Sequence, residues 1–181
     1  MSDLENRVKE LESQMEMLKA NSPEDQLTMV VMSGDLDKVL AAFIIATGGS
    51  AMFEKVNMFF TFWAIPALRD PNKAPVKKNF ISTMFGLMLP KGASKLALSK
   101  MQMGGMGAWM IKGLMKKKNV LSLEELMKRA ADAGVKISIC EMSMDLMGFK
   151  KEEMIDYPDL KLAGVGKFLA DAGSSKSTLF I

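Results

Sequence analysis

A chain of 181 residues, 49% hydrophobic and 25% charged, has enough apolar content for one packed domain plus an appendage. Its net charge is only +3, and it contains one cysteine and no histidine. These counts exclude internal disulfides, C-x-x-C redox pairs, multi-cysteine zinc sites, Cys-His pairs, Ser-His-Asp triads and histidine-ligated metals.

Residues 1–25 form the first unit. They hold seven acids and three bases. Leu4, Val8, Leu11, Met15 and Leu18 recur at 4-3-4-3 spacing, the a/d pattern of a coiled coil. A helix this short needs a partner, and self-association is preferred over packing on the chain's own body. Asn21 to Glu24 is read as a linker. The segment is charged and lacks an apolar signal core, so the expected location is cytoplasmic, which suits a free thiol. The uncharged stretches Val39–Phe53 and Val56–Leu68 are shorter than the ~18–20 residues that span a bilayer.

Residues 26–181 read as an α/β domain. Leu27–Met32 is a buried strand. Ser33, Gly34 and Asp35 make the turn after it, where backbone amides can hold an anion, and a helix follows to Gly48-Gly49. The turn matches neither a Walker loop nor G-x-G-x-x-G. Lys55–Thr61 is the second strand. Trp63 leaves its end, either lining a pocket or packing into the core, and the core is the expected place.

A Met- and Lys-rich helical excursion over 76–118 comes next, with helices at Asn79–Leu89, Ser94–Met103 and Gly107–Lys117. From Asn72 to Leu123 there are ten lysines and no acid. Nucleic acid is not an expected partner, because the lysines lack interleaved aromatics and the chain has only Arg7, Arg69 and Arg129. Met101, Met103 and Met106, with Met110 and Met115, are soft thioethers that suit Cu(I). No Cys or His joins them, so they are read as fillers of an irregular core or as a pliable contact surface, and no metal or cofactor is expected. A mobile flap over a site is a second reading of this stretch.

Ser122-Leu-Glu-Glu125 has the form of a capping box and opens a helix to Ala133. Val135, Ile137 and Ile139 form a strand. Cys140 ends it, and Glu141–Met147 is helical. A thiol at a strand's carboxyl end and a helix's amino end sits where reactive groups collect in α/β sheets, and amides there favour the thiolate. The bland alternative is a core cysteine. Ser143 can donate to the sulfur, whereas Glu141 and Asp145 oppose a thiolate unless they point away. Leu160–Ala172 reads as a helix, Gly173–Ser175 as a loop and Ser177–Ile181 as a strand. Alternating helices and doubly apolar strands imply a mainly parallel sheet of four or five strands covered on both sides.

Ser33-Gly-Asp-Leu-Asp-Lys38, Phe60-Thr-Phe-Trp63, Met101-x-Met-Gly-Gly-Met106 and Ile139-Cys-x-Met-Ser-Met-Asp145-x-Met-Gly148 together resemble the DsrE/DsrF-like proteins, nearest the DsrE2-type branch. The resemblance covers about residues 27–181. It implies a flavodoxin-like three-layer α/β sandwich, a homo-oligomer and a part in sulfur trafficking. On it, Cys140 accepts sulfane sulfur as a persulfide and exchanges it with a TusA-like or rhodanese-like carrier, making the chain a sulfurtransferase. Ser33, Gly34, Asp35 and Trp63 are then site-lining candidates with Glu141, Ser143 and Asp145. The alternatives are a binding or assembly protein whose Met-rich surface meets a partner, a membrane surface that it does not span, or Cu(I), and a single-cysteine redox sensor.

Overall fold

The computed structural model describes residues 2–20, 22–74, 76 and 78–181; Asn21 of the expected linker and Pro75 of the loop before the excursion lie outside the described residues. Five strands build one sheet: β1 (Glu24–Val31), β2 (Lys55–Phe60), β3 (Lys136–Cys140), β4 (Lys161–Ala163) and β5 (Ser175–Phe180). Their order is β4-β3-β2-β1-β5, and every pairing is parallel. Parallel neighbours cannot be joined by hairpins, so each connection crosses a sheet face and covers it.

The pleat divides the strand residues between two unequal faces. Leu27, Met29, Val31, Val56, Met58, Phe60, Ile137 and Ile139 all belong to the main apolar core. Helices α2 (Leu36–Gly49) and α5 (Leu123–Asp132) cover that face. In α2, Leu36, Val39, Phe43 and Ala46 recur at helical spacing and are buried. In α5 the expected capping box is present: Ser122 Oγ accepts from the Glu125 amide and Glu125 Oε2 accepts from the Ser122 amide.

The opposite face has a thinner cover. Helix α7 (Val165–Ser174) stacks Phe168 on Phe59 at 5.4 Å between ring centroids. The buried Gln26 amide donates to Ser175 Oγ and to the Asp171 carbonyl, so it is satisfied. No residue of α7 is fully buried, and Val165 and Leu169 face solvent. The register pairs Phe59 with Ser138, and Cys140 follows two residues on, so Cys140 belongs to this thinly covered face. It is buried but stands outside the main apolar core.

Four expectations are corrected. Ser94–Met103 is not a helix: only Ala93–Lys95 makes a single 3-10 turn. The rest is pinned in irregular form by the Leu36 amide donating to Ala97 O and by Ser99 donating through its amide and hydroxyl to Asp37. Leu160–Ala172 is not one helix either, because Lys161–Ala163 pairs with β3 as a three-residue edge strand. A run that short carries too few residues for its period to declare itself. Gly173–Ser175 is no loop, since α7 runs to Ser174 and β5 starts at Ser175. Of the two places expected for the excursion's methionines, core or contact surface, the core fails for most of them. Met101, Met103, Met106 and Met110 are all exposed.

The excursion carries two helices, α3 (Phe80–Met88) and α4 (Met106–Lys117). Helix α3 buries nothing and exposes Phe80, Ile81, Leu87 and Met88; α4 exposes Trp109. Helix α1 (Ser2–Ala20) precedes the domain. Among the described residues, no helix is long and apolar enough to cross a membrane.

Candidate functional site

Cys140 is the last residue of β3 and the N-cap of α6 (Glu141–Leu146). Its extended backbone, φ −63° and ψ 111°, turns the chain from strand into helix in one residue. The side chain is 4% exposed. Burial pushes the thiol up, but the Ser143 hydroxyl and amide, the Thr61 hydroxyl and the Met142 amide together hold it below the ordinary thiol value. No side-chain capping hydrogen bond closes at this position.

Thr61 and Ser143 form one unit, their hydroxyls 2.8 Å apart. Ser143 is completely buried. Thr61 follows β2 in register with Cys140, since Phe60 pairs with Ile139, and its amide donates to Val31 O. Sequence reasoning missed it, because only the strand order sets the end of β2 beside the cysteine's strand. Phe62 follows with φ +44°, an uncommon backbone for an aromatic residue. Such strain tends to gather at functional sites.

The other candidates separate into two groups. Ser33, Gly34 and Asp35 form a tight turn at the end of β1, with Ser33 Oγ donating to Asp35 Oδ2. A Cβ on Gly34 would stand 2.2 Å from the Trp63 carbonyl oxygen, so only glycine lets this turn seat on the chain leaving β2. The turn is thereby seated against the backbone of Trp63. Trp63 is not in the core: its side chain is 54% exposed at the rim, because the 3-10 helix Phe62–Leu68 buries Ala64, Ile65 and Leu68 instead. Glu141 and Asp145 both point to solvent, where water screens their charge from the thiol.

A cavity of about 670 Å³ lies between α4 and the start of α5, lined by Leu36, Met115 and Leu123 among others, and is separate from Cys140. No group of three or more His, Cys, Asp or Glu side chains among the described residues could hold a metal ion.

One outcome follows from the thiol's surroundings. Alkylation of Cys140 is expected to rise with pH through a midpoint below that of a free cysteine, because the donors favour the thiolate. Ser143→Ala removes one of the two hydroxyl donors and is expected to move the midpoint upward. An unmoved midpoint in that variant would assign the acidity elsewhere.

The sequence model of a family described as DsrE/DsrF/DrsH-like matches residues 23–180. The chain is 49% identical over 154 residues to "Uncharacterized protein YrkE" of Bacillus subtilis, covering 85% of this chain and 95% of that protein. It is 33% identical over 165 residues to "Sulfur carrier protein DsrE2" of Allochromatium vinosum, covering 87% and 99%. Among solved structures, the ychN protein from E. coli aligns with a TM-score of 0.50 over 86% of this chain and 98% of that one. At 9% identity this likeness concerns the fold alone.

Proposed function

We propose, from the premise that this chain belongs to the DsrE/DsrF/DrsH-like family, that it traffics sulfur by carrying a sulfane sulfur on Cys140 and exchanging it with a partner thiol. The observation that carries this reading is the placement of the lone thiol at the junction of β3 and α6, with the hydrogen-bonded Ser143 and Thr61 hydroxyls on the first turn of α6 and at the end of the neighbouring strand.

The chemistry balances without an external oxidant. The Cys140 thiolate attacks the outer sulfur of a donor persulfide. A new S–S bond forms to Cys140 as the donor's S–S bond breaks, and the electron pair leaves on the donor thiolate. In the second half, an acceptor thiolate attacks the same outer sulfur and Cys140 leaves as a thiolate. A depressed thiol pKa raises the attacking fraction in the first step and makes Cys140 the better leaving group in the second. One cysteine is sufficient, because donor and acceptor each bring their own. A TusA-like or rhodanese-like carrier is the proposed exchange partner.

The buried sulfur requires that the partner open or displace part of its cover. Helix α6 is six residues long and presents Met142 and Leu146 to solvent, and Trp63 stands exposed nearby. An apolar rim of this kind supports protein docking over capture of a small ion. The test is to load the chain from a sulfane-sulfur donor, remove the donor, and add a small acceptor protein with one reactive cysteine. Sulfur appearing on the acceptor at a rate proportional to loaded chain is the expected result. A loaded chain that never passes sulfur on would leave storage, not trafficking.

A second reading has its own support. The exposed Met101, Met103 and Met106 beside the acid-free lysine block favour a binding protein whose Met-rich surface meets Cu(I) or an anionic membrane. Copper titration and flotation with anionic vesicles separate it from the sulfur reading.

A further inference from the structure

Helix α1 is nineteen residues long, a length at which an isolated helix is marginal in water. Its apolar seam touches no cover in its own chain: Leu4 is 73% exposed and Leu11 62%, and Val8, Met15 and Leu18 are exposed as well. The family match begins at residue 23, after this helix, so the domain's sulfur chemistry does not explain it. A seam of five apolar residues left in water on a helix too short to stand alone calls for an occupant.

The heptad identifies that occupant. Spacing places Leu4, Leu11 and Leu18 at d, and Val8 and Met15 at a. Leucine at every d, with the β-branched Val8 at one of the two a positions, favours two parallel strands. Charge agrees. Arg7 falls at g and Glu12 at the following e, the two positions that meet across a parallel dimer. The symmetry repeats this opposite-charge pair on both sides of the seam. An antiparallel pair aligned to match leucine layers would lose that crossing.

We propose that α1 is a homodimerisation arm, pairing with α1 of a second copy as a parallel, in-register two-stranded coiled coil. Because α1 ends at Ala20 and β1 starts at Glu24, this pairing sets two α/β domains side by side at one end of the coil. The proposal is independent of the sulfur chemistry.

Single-cysteine variants of the full chain test it. In a Cys140→Ser background, Leu4→Cys and Leu18→Cys are each expected to form a covalent dimer alone under mild oxidation, because like d residues face each other. Ser13→Cys, on the outward f position, is expected to stay monomeric on denaturing gels. Crosslinking only when the Leu4→Cys and Leu18→Cys chains are mixed would show an antiparallel pair, and no crosslinking in any arm would remove the dimer; either overturns the proposal. Sedimentation supplies the second readout. Arg7→Glu is expected to weaken dimerisation on the order of tenfold, and Arg7→Glu with Glu12→Arg to restore it. A double variant as weak as the single one would contradict the register.

Discussion

Replacing Cys140 with serine is expected to reduce sulfane-sulfur uptake to the level of donor alone, and with it all transfer to an acceptor. The chain has no second cysteine to take over, so the loss is complete rather than partial. The fold should survive. Serine is nearly isosteric, and its hydroxyl would stand among the Ser143 and Thr61 hydroxyls, which already bond to each other at 2.8 Å. A buried hydroxyl with partners at hand costs about 1 kcal/mol or less. The expected signature is therefore an intact thermal transition with no sulfur chemistry. A Cys140→Ser chain that still accepted and passed on sulfane sulfur would end the account.

The second large effect concerns stability. Lys78 and Glu153 form an ion pair at 2.5 Å with side chains only 4% and 6% exposed. Arg69 lies buried beside them, its guanidinium 4.9 Å from the centre of the Phe149 ring, with the Lys78 ammonium 5.2 Å from the same ring. Glu153 thus pairs directly with Lys78 and acts on Arg69 only at longer range. Burial holds the Arg69 guanidinium below its ordinary value, and Glu153's charge partly offsets that. Arg69 Nη1 donates to the carbonyls of Gly86, Leu89 and Pro90, satisfying the end of α3, while its Nε is buried without a partner among the described residues.

Glu153→Ala would leave the Lys78 ammonium buried without its partner and remove the negative charge nearest Arg69. A broken buried pair costs about 3–5 kcal/mol, a large part of the ~5–15 kcal/mol that holds a domain together. Chemical denaturation should show that loss. The double variant Lys78→Met/Glu153→Leu removes both charges and is expected to recover most of it, with a remainder set by Arg69. A Glu153→Ala chain within 1 kcal/mol of the parent would mean that water reaches this cluster and screens it. The same variant should speed alkylation of Cys140. Helix α3 presses Ser82 against Gly148, where a Cβ would meet Ser82 Oγ at 2.0 Å, and Gly148 follows the helix that Cys140 caps.

Some parts of this molecule were legible in the sequence because their signals were local. The capping box at Ser122 depends on four consecutive residues and one hydrogen-bond pattern, and it formed as expected. The apolar runs of β1, β2 and β3 were long enough to declare buried parallel strands. What failed depended on distance. β4 is three residues long and becomes a strand only because β3 offers it an edge. Ser94–Met103 carries helix-compatible residues, but Asp37 and Leu36 pin it from sixty residues away. Trp63 was expected inside because aromatics usually are, yet the residues after it filled that space.

The site divides along the same line. Cys140 and Ser143 could be read as neighbours because they lie three positions apart at a helix start, a relation that spacing reveals. Thr61 was not singled out, because its place beside Cys140 depends on strand order, which no local pattern encodes. The turn at Ser33–Asp35 was found as a turn, but its role in seating Trp63's backbone needed the third dimension.

The most direct measurement is the intact mass of the chain before and after exposure to a sulfane-sulfur donor. A gain of one sulfur atom per chain is expected, lost on reduction and located on the peptide that contains Cys140. A chain whose Cys140 remains open to alkylation, yet gains no sulfur from any sulfane donor, would contradict it.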